Sequence, residues 1–156
     1  MGKPKVKDKP AVDKFCNDQD AVGFVKDYQA EAADLAEQAD VPVEFILGLA
    51  AEETQWGTGD AANDCNNYFS LHAPVPFQTG SRPAKGDPKV LIAKFDTIHD
   101  SGRSFLKRYA DSIKGARDPK NFGQRLRDAR FNTVRPDFVE YLAGIINAVK
   151  HRMACP

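Results

Sequence analysis

An apolar helical stretch, Phe45 to Ala51, runs directly into Glu52-Glu53-Thr54-Gln55-Trp56-Gly57. On a helix of about 3.6 residues per turn, Ile46 lies two turns and Leu49 one turn before Glu53, with Ala50 beside it. Glu53 therefore points along the stripe that folding must bury, while Glu44 lies on the opposite face. Two readings are open. Either Glu53 ends the helix at the surface with its head in water, or its carboxyl is desolvated. Desolvation raises a carboxyl pKa, because a low dielectric penalises the charged form. An acid still protonated near neutral pH is what general-acid cleavage of a glycosidic bond requires. Trp56 and Gly57 then supply an aromatic wall and a helix stop.

A chain of 156 residues has the length of one domain with a sizeable core. The 22 Lys and Arg balance the 22 Asp and Glu, so a strongly basic nucleic-acid binder is disfavoured. No stretch approaches the ~20 apolar residues of a bilayer span, so no membrane insertion is expected. The first residues lack the apolar core of a secretory signal. The Lys-rich start places residues 1–18 as a mobile arm, with residues 19–156 forming a single, monomeric domain. None of Cys16, Cys65 and Cys155 forms a Cys-x-x-Cys pair, and His72 has no partner at ligand spacing. No metal and no cofactor are expected. Chain ends often lie close together, which leaves open both a Cys16–Cys155 disulfide and three reduced thiols.

Helical periodicity spans Asp20 to about Gln38, with Phe24, Tyr28 and Leu35 on one face. Asp40-Val41-Pro42 breaks it, and Pro42 suits the first turn of the next helix, to about Thr54. Residues 57–67, rich in Gly, Asp and Asn, read as a loop. Residues 73–89 hold four Pro and two Gly and exclude a regular helix, whereas Val90 to Phe95 has strand character. Residues 68–95 thus predict a small, irregular β-hairpin. Asp96 is the expected N-cap of a helix to about Tyr109, and Asp118-Pro119 opens another to about Arg130. Pro136 opens the last, where Phe138, Leu142, Ile145 and Val149 make one stripe. The reading is mainly α, with a small β excursion after the Glu53 helix.

Two segments carry a resemblance. Ala51 to Gly57 is similar to Ala-Leu-Glu-Ser-Gly-Trp-Gly, and Asn66-Asn67-Tyr68-Phe69-Ser70-Leu71 to Asn-Asn-Leu-Phe-Gly-Ile. Both are signatures of the endo-β-N-acetylglucosaminidases of bacterial autolysins and flagellar wall hydrolases, glycoside hydrolase family 73. Phe95-Asp96-Thr97 and Arg130 to Phe138 resemble its later motifs. The resemblance covers roughly residues 20–150. It implies a lysozyme-like α core with a small β-lobe inserted after the catalytic helix, and it places the catalytic acid at Glu53. Two departures stand out. Phe131 aligns with a tyrosine of the family, and no Glu lies between Glu53 and Glu140, where many members carry a second one in the β-lobe.

Such hydrolysis needs a second group facing the other side of the sugar. The candidates are Asp87, which also suits a plain turn, Asp60 or Asp64, and the substrate's own N-acetyl group. Glu52 is expected to matter far less than Glu53. Trp56, Asn66, Asn67, Tyr68, Phe69 and Phe131 are the candidate substrate-binding residues, with Tyr68 best suited to sugar stacking. The expected activity is hydrolysis of the β-1,4 glycan of peptidoglycan, as an N-acetylglucosaminidase or a muramidase. The expected setting is export without a signal peptide and action in the periplasm of a target bacterium, as an antibacterial effector of the type VI secretion kind, with a cognate immunity protein occluding the cleft. An inactive wall-binding module and a phage-type endolysin are the alternatives.

Overall fold

The computed structural model describes residues 14–132 and 134–156. In chain order these form α1 (Gln19–Ala39), α2 (Val43–Thr54), α3 (Asp60–Cys65), β1 (Gly80–Pro83), β2 (Leu91–Lys94), α4 (Ile98–Ile113), α5 (Pro119–Asp128) and α6 (Phe138–Met153). The architecture is the expected lysozyme-like one, a helical core with a small β-lobe inserted after α2.

Helix α2 is the axle of the core. Phe45, Ile46, Leu47, Leu49, Ala50 and Ala51 are each at most 2% exposed. A helix that is apolar all round has to be enclosed, and α1 and α6 pack against it. Gly48 is what lets α6 come so close: a Cβ there would stand 2.6 Å from the Ile146 side chain. Each large apolar side chain buried in this way contributes about 1.5–3 kcal/mol.

Helix boundaries follow local chemistry. The Asp18 carboxylate accepts from the Ala21 amide at 3.1 Å and starts α1. Pro42 sits at the N-cap of α2 rather than in its first turn. Thr97, not Asp96, caps α4, its hydroxyl accepting from the Asp100 amide at 3.1 Å. That helix continues a turn past Tyr109 because Ile113 extends the buried face of Phe105 and Tyr109. Asp118 caps α5 as expected, with Pro119 in its first turn. In α6 the buried stripe runs through Phe138, Leu142, Ile146 and Val149, and Ile145 is only half-buried.

Residues 57–67 are not wholly loop. Ala62 and Cys65, one turn apart and both buried, anchor the short helix α3. Asn66 ends it in a left-handed conformation (φ 52°). The hairpin is as irregular as its prolines require: β1 and β2 pair antiparallel from Gly80↔Lys94 to Pro83↔Leu91, and His72 adds one bridge to Ile92.

The expected arm lies outside the described residues as far as residue 13. Residues 14–18 belong to the fold. Cys16 forms a disulfide with Cys155, Cα to Cα 5.6 Å. The Phe15 ring stacks on His151 at 4.5 Å, and Arg152 Nε donates to the Phe15 carbonyl at 3.1 Å. Cys65 stays a buried free thiol, its sulfur accepting from Arg82 Nε at 3.2 Å.

Candidate active site

The end of α2 is unwound in a defined way. Buried Thr54 donates its hydroxyl to the Ala50 carbonyl at 2.7 Å and accepts from the Gly57 amide at 2.8 Å. Gln55, Trp56 and Gly57 are left-handed in succession (φ 49°, 57° and 82°). For the first two this costs roughly 1–2 kcal/mol each, and such strain gathers where a fold must hold a site. The third has to be glycine, since a Cβ would also stand 2.8 Å from the Phe24 ring. The turn carries the chain away immediately after Glu53 and leaves that residue at the rim of the core.

Glu53 keeps a narrow exposed edge, yet its carboxyl is desolvated. Burial first, then a hydrogen bond to Glu52 and the Glu52 charge, push it well above the usual carboxyl range, while a hydrogen bond to Ser70 opposes them. Oε1 of Glu52 is buried and meets no further partner among the described residues. The Ser70 hydroxyl donates to the Glu53 carbonyl at 3.2 Å. Tyr109, on α4, is also close enough to feel the acid. Its phenol is raised chiefly by burial, lowered by Arg108 and raised again by Glu53.

Beside the acid, Ser70, Leu71, His72, Arg108, Tyr109 and Arg130 line a cavity of about 140 Å³ that Phe131 closes. Phe131 stands edge-on to Tyr109 at 5.1 Å and to Phe105 at 5.8 Å. The site thus brings a desolvated carboxyl, two hydroxyl groups and two guanidinium groups to a space of sugar-substituent size. That is equipment for proton delivery to a leaving oxygen.

The other candidates separate into groups. Asn67 is completely buried: its amide donates to the Leu71 and Ala93 carbonyls at 2.9 and 3.0 Å, and its oxygen accepts from the Phe69 and Leu71 amides. Phe69, 1% exposed, stacks on Phe105 at 4.5 Å. Asn67 has no exposed surface for a glycan to touch, whereas the Phe69 ring forms part of the wall of the cavity beside the acid; both also fix the β-lobe to the core. Asn66 does similar work, donating to the Phe95 and Asp96 carbonyls. Trp56 and Tyr68 line a different groove, on the α1 side of the molecule.

Of the aspartates, Asp60 pairs with Lys85 at 2.9 Å, which lowers its pKa, and Asp64 lies 3.7 Å from Arg82. Both salt bridges tie α3 to the hairpin. Asp87 lies in the connection between the strands, where its carboxylate accepts from the Lys89 amide at 3.1 Å. None of these, nor Asp96, lines the cavity beside the acid.

Sequence reasoning missed Glu52 as a working neighbour, and also Ser70, Tyr109, Arg108 and Arg130. The adjacency of two glutamates was the available signal for the first. Tyr109 had only its helical spacing from Phe105. Glu31, Asp34 and His99 bring ligand-type atoms within 4.8 Å of one another on an exposed face, with His99 Nδ1 2.9 Å from Glu31.

A carboxyl buried at the end of the central helix, with a β-lobe inserted after it, defines a lysozyme-like glycosidase. The model of the family Glucosaminidase, mannosyl-glycoprotein endo-beta-N-acetylglucosaminidase, matches residues 29–151, and the chain belongs to that family. Among solved structures, a chain in a type VI secretion system effector–immunity complex from Pseudomonas protegens is 46% identical. That match covers 91% of this chain and 99% of the other, with a TM-score of 0.85. A peptidoglycan hydrolase from Sphingomonas sp. A1 is 26% identical over 85% of this chain and 92% of that one, TM-score 0.70. The catalytic domain of an autolysin from Listeria monocytogenes shares the fold at 16% identity, TM-score 0.61, with 86% of each chain covered. No curated protein matches.

Proposed function

We propose that the protein hydrolyses the β-1,4 glycan of peptidoglycan with Glu53 as general acid. The observation that carries this is the desolvated Glu53 carboxyl, its proton affinity raised by burial, beside a cavity lined by Ser70, Tyr109 and two arginines. Family membership supports it. Tyr109 places a phenol near the acid from α4, on the face where Phe131 lacks one. Among the described residues no aspartate lines the cavity, so the scheme that fits best has one essential carboxyl. In it the substrate's N-acetyl oxygen attacks the anomeric carbon as Glu53 protonates the leaving oxygen. Water then opens the cyclic intermediate and returns a proton to Glu53.

The test is wall digestion by purified protein, borohydride reduction and mass spectrometry of the new ends. A reduced N-acetylglucosamine end identifies a glucosaminidase and a reduced muramic end a muramidase. Glu53→Gln should lose roughly 10²-fold or more of the rate. An active Glu53→Gln variant rejects the assignment, as does a wild-type protein that binds wall without releasing fragments. Extensive chelation should leave the rate unchanged, since the acid does the chemistry.

The likeness to a chain of an effector–immunity complex supports an antibacterial effector delivered to another bacterium's periplasm. In that setting the partner is an immunity protein that covers the cleft. Expression directed to the periplasm should lyse a host lacking that protein, and expression in the cytoplasm should not.

A further inference from the structure

The groove of about 350 Å³ on the α1 side has a larger volume than the cavity beside the acid. Phe24, Tyr28, Trp56 and Tyr68 make its aromatic surface, and Asp20 and Asp27 are the only charged side chains lining it. Neither carboxylate is in a salt bridge among the described residues. The Arg152 guanidinium lies 4.5 Å from the Trp56 ring and 3.8 Å from Asp18.

Two further observations point to a missing ligand. The Tyr28 side chain is 4% exposed and lines the groove, but its hydroxyl has no hydrogen-bond partner among the described residues. A buried polar group without a partner is costly. Gly23, inside α1, also lines the groove and has nothing within 4 Å of where a Cβ would project. Glycine weakens a helix interior, and no packing demands it here, so its effect is to leave the groove open.

We infer that this groove binds the side-chain ammonium group of the peptidoglycan stem peptide, between the carboxylates of Asp20 and Asp27 and the aromatic faces of Trp56 and Tyr68. Carboxylates accept charge-assisted hydrogen bonds from an ammonium group, and aromatic faces attract a cation. The Tyr28 hydroxyl supplies one more acceptor. A neutral sugar would use the aromatic faces but has no need of two unpaired carboxylates. Seating a stem amine in this groove would hold the strand on the enzyme while the glycan lies at the acid. The identity of the ligand rests on the wall-hydrolase reading; the groove does not.

Trp56 is the chain's single tryptophan, so its fluorescence reports on this groove directly. The titrants are an N-acetylated tripeptide ending in lysine, the same peptide with its side-chain amine acetylated, cadaverine, and chitotriose. Saturable change with the lysine peptide is expected. Binding should be roughly tenfold weaker or worse after acetylation, and similarly weaker for Asp27→Asn and for Gly23→Leu, which fills the groove. Far-UV circular dichroism verifies that the variants fold. No saturation, or equal binding of the acetylated peptide, overturns the inference. Tighter binding of chitotriose makes the groove a glycan site and overturns it as well. Cadaverine bound as tightly as the peptide removes the stem as the ligand. The lysine peptide, its acetylated form and cadaverine carry no glycan, so their binding does not depend on hydrolysis at Glu53. An active Glu53→Gln variant would therefore reject the hydrolase reading without changing this titration.

Discussion

At the scale of single residues, Glu52 and Glu53 are adjacent in sequence, and the Glu52 carboxyl bears directly on that of Glu53. The charge of Glu52 is one of the influences that keep Glu53 protonated. Glu52→Gln should therefore move the alkaline limb of the pH–rate profile to lower pH while retaining much of the maximal rate. An unmoved limb would show that the two carboxyls act independently. Tyr109→Phe should lower kcat by roughly tenfold with little change in melting temperature, because only the hydroxyl is lost from a ring that stays packed. A variant as fast as wild type would remove the phenol from the mechanism. Glu53 also links stability to pH. Its pKa is raised on folding, so the native state binds the proton more tightly than the unfolded chain does. That contribution is fully present below the ordinary glutamate pKa and is lost as pH rises toward the raised value. The melting temperature of wild type should thus fall relative to Glu53→Gln as pH rises above the ordinary glutamate range. Parallel melting curves across that rise would contradict the desolvation described for the acid.

At the scale of elements, the β-lobe hangs on Asn67. Its side chain makes four hydrogen bonds, three that shape the 67–71 turn and one to the Ala93 carbonyl of β2. Asn67→Ala leaves buried carbonyls and amides unpartnered and should cost roughly 3 kcal/mol, read from urea denaturation. A loss below about 1 kcal/mol would mean that water takes over those bonds. The helices were legible in the sequence because their buried stripes are periodic and their caps are chemically explicit, as at Asp118-Pro119. Glu53 was legible for the same reason, since position on a stripe follows from spacing alone. Three things were not. Helix α3 is too short for a periodic signal, with only Ala62 and Cys65 buried. Ile145 and Ile146 are adjacent, and only the close approach at Gly48 selects the second for the core. Tyr109 and Ser70 meet Glu53 from separate elements, and no local pattern records a contact between distant segments. The same limit hid the division of the aromatic residues: Trp56 follows Glu53 by three positions, yet the left-handed turn sends it to another surface.

At the scale of the whole molecule, the Cys16–Cys155 bridge closes a span of 139 residues. In the loop-entropy account a closure of that length stabilises by about 5 kcal/mol, with measured values often lower. Reduction should lower the melting temperature clearly and leave the rate at 25 °C nearly unchanged, because the acid sits far from the bridge in the chain. Loss of activity under conditions where circular dichroism stays native would tie the bridge to the site itself. Lys26 Nζ donating to the Cys155 carbonyl at 2.7 Å and the Phe15–His151 stack hold the same seam together. With its two ends joined there, the backbone is close to a ring, and the point at which a ring is opened is arbitrary. New termini placed at Gly86-Asp87, in the exposed connection of the hairpin, with residues 16 and 155 linked by a short peptide, would interrupt no helix. Such a circular permutant should fold to the same helical content and keep Glu53 in its place.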